Sequence, residues 1–228
     1  MARPTVLLFD LDGTLVRTGG AGRRAMRRAL GAELNAPDAL AGVDFGGRTD
    51  PWILRAAFTN AGVPLEAAAL AKVTETYLGF LDEELAATTG YRVMPGVPAL
   101  LDACAAAEGV ALGLGTGNIE PAAYAKLGPG KLAHRFAFGG FGSDAEDRAE
   151  LVETGARRGA EALGALRDAV RVVILGDTFR DVDAAQAIGA ECVAVGTGGT
   201  PVAALAERGA DLALETLEDP RARPFLLG

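Results

Sequence analysis

Asp10 and Asp12, separated by one residue, stand at the end of the apolar run Thr5–Phe9. Side chains alternate along an extended strand, so both carboxylates point the same way. Two adjacent carboxylates repel, and near pH 7 the pair is stable only with a cation or a proton between them. A hard divalent ion such as Mg²⁺, which takes oxygen ligands, suits that position. Gly13 permits a sharp exit from the strand. The competing reading is a strand cap followed by a turn. A second acidic pair, Asp177 and Asp181, lies in Gly176-Asp177-Thr178-Phe179-Arg180-Asp181 after the apolar run Val170–Leu175. Four residues apart, at a strand end leading into a helix, both acids can face one cation. Their competing role is helix N-capping by Asp177 or Thr178.

Gly115-Thr116-Gly117-Asn118 follows the run Val110–Leu114. Small residues before a helix let backbone N–H groups approach an anion closely. The glycine spacing is GxGxG rather than the GxGxxG of dinucleotide loops, and a plain tight turn is the other alternative. Arg148 follows an acidic stretch, and its competing role is a surface pair with those neighbours. Lys126 and Lys131 are further cations, but their Pro- and Gly-rich surroundings predict an exposed loop. Arg48 sits in the polar, Gly-rich segment Gly46–Asp50, where it meets either an anionic substrate or solvent. Arg23, Arg24, Arg27 and Arg28 form one basic helical face that is either solvated or steers anions. His134 is the only histidine and belongs to no motif, which argues against a His-dependent triad or a His-rich zinc site. Trp52 is expected in packing.

The elements that position these groups alternate. Thr5–Phe9, Val110–Leu114, Val170–Leu175, Cys192–Val195 and, more weakly, Ala210–Leu214 are short apolar runs. They fit strands of a parallel sheet buried on both faces. Pro98–Glu108, Arg148–Leu163, Arg180–Ile188 and Pro201–Arg208 have helical spacing and predict crossover helices. In such sheets ligands bind at the carboxyl ends of strands, where these motifs all lie. Residues 17–90 break the alternation. They contain no convincing strand, and Leu70, Val73, Tyr77, Phe80 and Leu81 repeat at helical spacing. This predicts an α/β, Rossmann-like doubly wound core over 1–16 and 91–228. An all-helical insert spans 17–90, with edges at Val16–Gly20 and Gly90–Pro98.

Phe9-Asp10-Leu11-Asp12-Gly13-Thr14-Leu15 resembles the first motif of the haloacid dehalogenase superfamily, and the later motifs occur in that family's order. The resemblance implies a Mg²⁺-dependent phosphatase with a helical cap of the phosphoglycolate phosphatase-like kind. It implies that Asp10 is the nucleophile and that Asp12 is the acid and base. Thr116, with the neighbouring Gly117 and Asn118, would bind the phosphoryl oxygens. Arg148 would stand where the family carries a Lys, with a planar fork instead of a point charge. Asp10, the Asp12 backbone carbonyl and Asp177 would hold the metal, with Asp181 binding directly or through a water. Arg48 would face the substrate from the cap. A phosphosugar mutase shares every core motif. A metal-free haloacid dehalogenase has no need of Asp12 and Asp177. A non-catalytic phosphate- or metal-binding regulator is the reading from another class.

The chain has 228 residues, 50% hydrophobic and 23% charged, and a net charge of −8. Those proportions are globular and exclude disorder. The acidic balance argues against nucleic acid and anionic membranes as partners, and requires a local positive site for an anionic substrate such as a small phosphorylated metabolite. No uncharged run is long enough to span a membrane. The apolar stretch before Asp10 is too short for a signal peptide. Cys104 and Cys192 are expected as buried thiols in a reducing cytoplasm. A monomer and a homodimer are both compatible with the sequence.

Overall fold

A computed structural model describes residues 3–228. The chain begins with β1 (Thr5–Phe9), β2 (Val16–Thr18), α1 (Ala21–Leu34), α2 (Asp50–Ala61) and α3 (Ala67–Ala87). It continues through β3 (Tyr91–Val93), α4 (Val97–Ala105), β4 (Val110–Thr116), α5 (Glu120–Leu127), β5 (Gly139–Phe141) and α6 (Arg148–Ala162). It ends with β6 (Arg171–Gly176), α7 (Phe179–Ala187), β7 (Glu191–Val195), α8 (Val202–Arg208), β8 (Leu212–Leu214) and α9 (Ala222–Leu227).

Six strands form one sheet in the order β5-β4-β1-β6-β7-β8, and every pairing is parallel. β1 lies inside this sheet and is buried at all five residues, which is why its sequence is apolar without alternation. Leu7 and Phe9 face one apolar cluster, while Val6 and Leu8 face the other. This is a Rossmann-like α/β core with helices on both faces. The sequence does not announce β5, a three-residue Gly-Gly-Phe strand without β-branched residues. Its glycines are required by close approach. A Cβ on Gly140 would stand 1.8 Å from the Leu151 carbonyl oxygen of α6.

Helices α1, α2 and α3 pack around their own apolar cluster, which includes Met26, Leu30, Leu54, Phe58, Val73 and Leu81. Each large apolar side chain buried there contributes about 1.5–3 kcal/mol relative to exposure. α2 starts on Thr49, whose hydroxyl accepts from the Trp52 N–H, with Pro51 in its first turn, where a missing N–H costs least. The two segments expected as edges of this helical unit pair with each other. β2 and β3 form an antiparallel ribbon, Val16 opposite Val93 and Thr18 opposite Tyr91. Three-residue strands are too short to show periodicity, so the ribbon was not legible in the sequence.

α5 was also missed, and its packing explains why. Ile119 and Ala122 join the cluster of the helical unit, whereas Ala123 and Leu127 join the cluster of the sheet. A helix buried on two sides has no single apolar stripe to detect. Among the described residues no helix is long and apolar enough to cross a membrane.

Candidate active site

Phe9 pairs with Leu114 on one side and Leu175 on the other. Continuing each strand by one or two residues brings Asp10, Gly115-Thr116 and Gly176-Asp177 together at the carboxyl edge. Asp10, Thr116, Asn118, Arg148, Asp177 and Asp181 are all buried. One oxygen each from Asp10, Asp177 and Asp181 lies within 4.8 Å of the others.

The electrostatics of that triad are unbalanced. Burial pushes the Asp10 carboxyl up to about 6, with Arg148 opposing and Asp181 and Asp12 reinforcing the rise. Burial also pushes Asp177 up to about 8, helped by repulsion from Asp10 and Asp181 and resisted by a hydrogen bond from Thr14. Two buried carboxylates that hold protons this strongly are not neutralised by the one cation beside them, Arg148. A hard divalent cation supplies the missing charge, so the donor set fits Mg²⁺.

Arg148 is the cation already present. Its Nη2 lies 3.1 Å from Asp10 Oδ1, and its Nε and Nη2 both donate to Asp181 Oδ1, at 2.9 and 2.5 Å. The other Asp181 oxygen accepts from the Thr178 N–H at 3.0 Å and the Thr178 hydroxyl at 2.7 Å, closing a capping box at the start of α7. A carboxylate offers about four acceptor positions, and the two Arg148 bonds and two Thr178 bonds account for them. N-capping and site chemistry are therefore not rivals here, since Asp181 caps with one oxygen and holds Arg148 with the other.

Asp12 is held from the opposite side. Its Oδ2 accepts from Lys126 Nζ at 2.6 Å and from Asn118 Nδ2 at 2.9 Å. Asn118 completes a network, since its Oδ1 accepts from Lys126 Nζ at 2.5 Å and its Nδ2 also reaches Thr116 Oγ1 at 2.9 Å. This corrects the expectation that Lys126 lies on an exposed loop. It is a buried residue in the last turn of α5, under the helical unit that covers that helix. Lys131 does lie in an exposed turn.

The loop before α2 closes over the strand ends. The Asp50 N–H donates to the Gly117 carbonyl at 2.7 Å, and the Ile119 N–H donates to Asp50 Oδ2 at 2.9 Å. A Cβ on Gly117 would sit 2.4 Å from the Arg48 carbonyl oxygen, so only glycine admits this contact. Arg148 and Arg180 donate to the carbonyls of Gly47 and Gly46. Asp50 is buried and pushed up to about 6 by that burial, against the pull of Lys126 and the Ile119 N–H.

Two cavities meet under this loop. One, of about 240 Å³, is lined by Asp10, Thr116, Arg148 and Asp177. The other, of about 550 Å³, is lined by Lys126, Tyr77 and Asp50. Asp12, Arg48 and Asn118 line both.

A family model for haloacid dehalogenase-like hydrolases matches residues 4–189. The chain belongs to this hydrolase family. Solved structures share its fold over nearly the whole length. A hydrolase from Pseudomonas syringae is 20% identical, with a TM-score of 0.67 and coverage of 98% of this chain and 99% of that one. A predicted phosphoglycolate phosphatase from Haemophilus somnus is also 20% identical, with a TM-score of 0.68 and coverage of 95% and 96%. CbbY from Rhodobacter sphaeroides, in complex with phosphate, is 18% identical, with a TM-score of 0.63 and coverage of 96% of each chain. Among curated proteins, none matches the chain.

In this haloacid dehalogenase-like hydrolase the structure gathers Asp10, Asp12, Thr116, Gly117, Asn118, Arg148, Asp177, Asp181 and Arg48 around one pair of cavities or directly behind it. The basic face of α1 is divided. Arg24 and Arg28 pair with Glu83 and Glu84 of α3 and are structural, whereas Arg23 lines the larger cavity. His134 is exposed and outside the site. Trp52 carries the Arg48 guanidinium 3.9 Å above its ring. Sequence reasoning counted Lys126 among the cations but put it on an exposed loop, and gave Asp50 and Tyr77 no part in the site. The signal available for Lys126 was a lone cation eight residues beyond Asn118 in an Ala-rich helix, which is too common to read alone.

Proposed function

We propose that this hydrolase is a Mg²⁺-dependent phosphatase that hydrolyses a small phosphomonoester through an aspartyl-phosphate on Asp10. The observation that carries this reading is the position of Asp12 on both cavities. A general acid must reach the oxygen between the phosphoryl group and the leaving group, so it belongs where the two chambers meet. The smaller chamber then takes the phosphoryl group and the larger takes the leaving group.

In this scheme an Asp10 oxygen attacks phosphorus and the bond to the leaving oxygen breaks. Asp12 gives its proton to that oxygen. Asp12 next takes a proton from water as the water oxygen attacks the phosphoryl group, which releases phosphate and restores the Asp10 carboxylate. Thr116 and the N–H groups of Gly117 and Asn118 orient the phosphoryl oxygens. Arg148 holds Asp10 and offers positive charge to the transferring group. Asp10, the Asp12 carbonyl and Asp177 hold Mg²⁺, which supplies charge neutralisation during transfer. Asp181 serves this set indirectly by fixing Arg148, since its acceptor positions are occupied.

Residues 17–90 act as the cap that selects the leaving group, and residues 1–16 with 91–228 form the catalytic core. Arg17, Arg23, Arg48 and Arg92 line the larger cavity. Arg17 and Arg23 donate to backbone carbonyls, and among the described residues Arg48 Nε is buried with no acceptor. In a chain of net charge −8, cations without carboxylate partners around one cavity favour a leaving group that carries its own anionic group, as phosphoglycolate does. Buried free thiols at Cys104 and Cys192 are consistent with a cytoplasmic enzyme.

The test is phosphate release from p-nitrophenyl phosphate with Mg²⁺ or with chelator, using wild type and Asp10→Asn. Turnover that needs Mg²⁺ and falls at least about 1,000-fold in the variant is expected. Turnover that survives the substitution would remove Asp10 as the nucleophile. A panel of phosphorylated carboxylic acids and uncharged alkyl phosphates then tests the leaving-group reading.

A further inference from the structure

We propose that Lys126 is a positioning residue for the acid–base step, fixing which oxygen of Asp12 faces the substrate. The proposal rests on the phosphatase reading above and adds a residue that no motif contains.

Lys126 and Asn118 both donate to Asp12 Oδ2, and among the described residues neither donates to Oδ1. An ammonium has three donors and no acceptor. An oxygen already taking N–H bonds from a lysine and an amide has no room to carry the transferable proton. The proton exchanged with the leaving oxygen is therefore on Oδ1. Lys126 thus orients the carboxyl group by occupying one of its oxygens.

The surroundings show why a lysine can hold this position. Its Nζ is fixed by two acceptors, Asp12 Oδ2 and Asn118 Oδ1, and Asp50 of the cap adds attraction. The cap also closes over it. A Cβ placed on Gly22 of α1 would lie 3.2 Å from Nζ and 3.8 Å from the Tyr77 hydroxyl, so α1 and α3 both come down onto this point. Tyr77 is wholly buried with an unpartnered hydroxyl. Asp12 is half-exposed, with 44% of its side chain accessible, and without a clamp it would sample other rotamers. Lys126 is only 7% accessible and supplies the rigidity that Asp12 lacks.

The experiment compares Lys126→Met with wild type on two aryl phosphates under saturating Mg²⁺. p-Nitrophenolate leaves well without a proton, whereas the phenolate of phenyl phosphate needs one. General acid catalysis contributes about 100-fold or more where it is needed. Loss of Asp12 positioning should therefore lower kcat/KM, which reports the transfer to Asp10, by about 100-fold on phenyl phosphate and by less than about fivefold on p-nitrophenyl phosphate. kcat should fall on both, because Asp12 also serves the hydrolysis step that the two substrates share. An equal fall in kcat/KM on both substrates, or a rise in KM alone, would overturn the assignment and make Lys126 a structural or substrate-binding group. A crystal structure of Lys126→Met is the second measurement and does not depend on turnover. Asp12 should leave the rotamer seen here, and an unmoved carboxylate would overturn the proposal. Failure of the phosphatase reading looks different, because wild type itself would then not need Asp10.

Discussion

Two buried cations flank Asp10 and Asp12, and they are built differently. Arg148 is held by carboxylates of the core and meets the inserted unit only at the Gly47 carbonyl. It rises from the first residue of α6, grips Asp181 with two nitrogens and touches Asp10 with one of them. Lys126 lies between the sheet core and the helical unit, where Asp12 is half-open to the larger cavity. The Arg148 side consists of nearly inaccessible groups locked by a forked ion pair, and it suits the nucleophile role proposed for Asp10. The Lys126 side is a point charge covered by a separate helical unit, and it suits the acid role proposed for Asp12. The difference shows how one fold can hold two neighbouring aspartates in unlike surroundings.

That contrast can be broken most sharply by deleting each cation. Arg148→Met leaves Asp10 and Asp181 buried without their partner and should cost about 3–5 kcal/mol of stability. Lys126→Met leaves Asp12 able to recruit water and should cost about 1–2 kcal/mol. Thermal or urea unfolding of both variants checks the order, and a larger loss at Lys126 would reverse the comparison. Arg148→Lys should keep most of the stability but lose the fork, so its activity should fall while its melting temperature stays near wild type.

A second test sharpens the Lys126 side. Burial raises the Asp50 carboxyl to about 6, so the folded chain holds that proton more tightly than the unfolded chain does. Its contribution to stability is full below about pH 4 and is lost as pH climbs through 6. Asp50→Asn cannot lose it. The variant should therefore gain on wild type between pH 4 and pH 8, by at most about 3 kcal/mol for a rise of this size. Urea unfolding at the two pH values measures the difference, and an equal offset at both would show that Asp50 is already ionised at low pH.

The last test concerns the Arg148 side alone. Asp10 and Asp177 are raised to about 6 and about 8, and a bound cation must displace their protons. Apparent Mg²⁺ affinity should rise between pH 6 and pH 8, by up to about tenfold per pH unit for each proton displaced. Calorimetric titration at several pH values checks this. A flat profile would mean that the pair is already ionised without metal, through Arg148.

The sheet and most of the site were legible because their signals are local. An apolar run that ends in Asp-x-Asp, a glycine-flanked threonine and an Asp four residues before another Asp each lie within one short segment. Parallel-sheet topology then fixes where such segments must meet. Arg148 was singled out only through the resemblance, which puts a cation at that place, because its own neighbours equally suit a surface ion pair. Lys126 could not be placed. Its neighbours in sequence are Pro, Gly and Ala, and nothing local distinguishes a lysine under a cap from one in water. β5 and the β2–β3 ribbon were lost through brevity, as three residues carry no period.

The sequence alone determined the α/β core, the run of helices after its first strand, the order of the motifs and the gathering of acidic residues at the strand ends. These follow from hydrophobic period, strand direction and charge repulsion, all of which act within a few residues. Tertiary structure decided which oxygen of each aspartate faces which donor, that Asp181 spends its acceptors on Arg148 and Thr178, and that Lys126 is buried at all. Those outcomes depend on desolvation, and desolvation is set by the elements that come to lie on a residue from far along the chain.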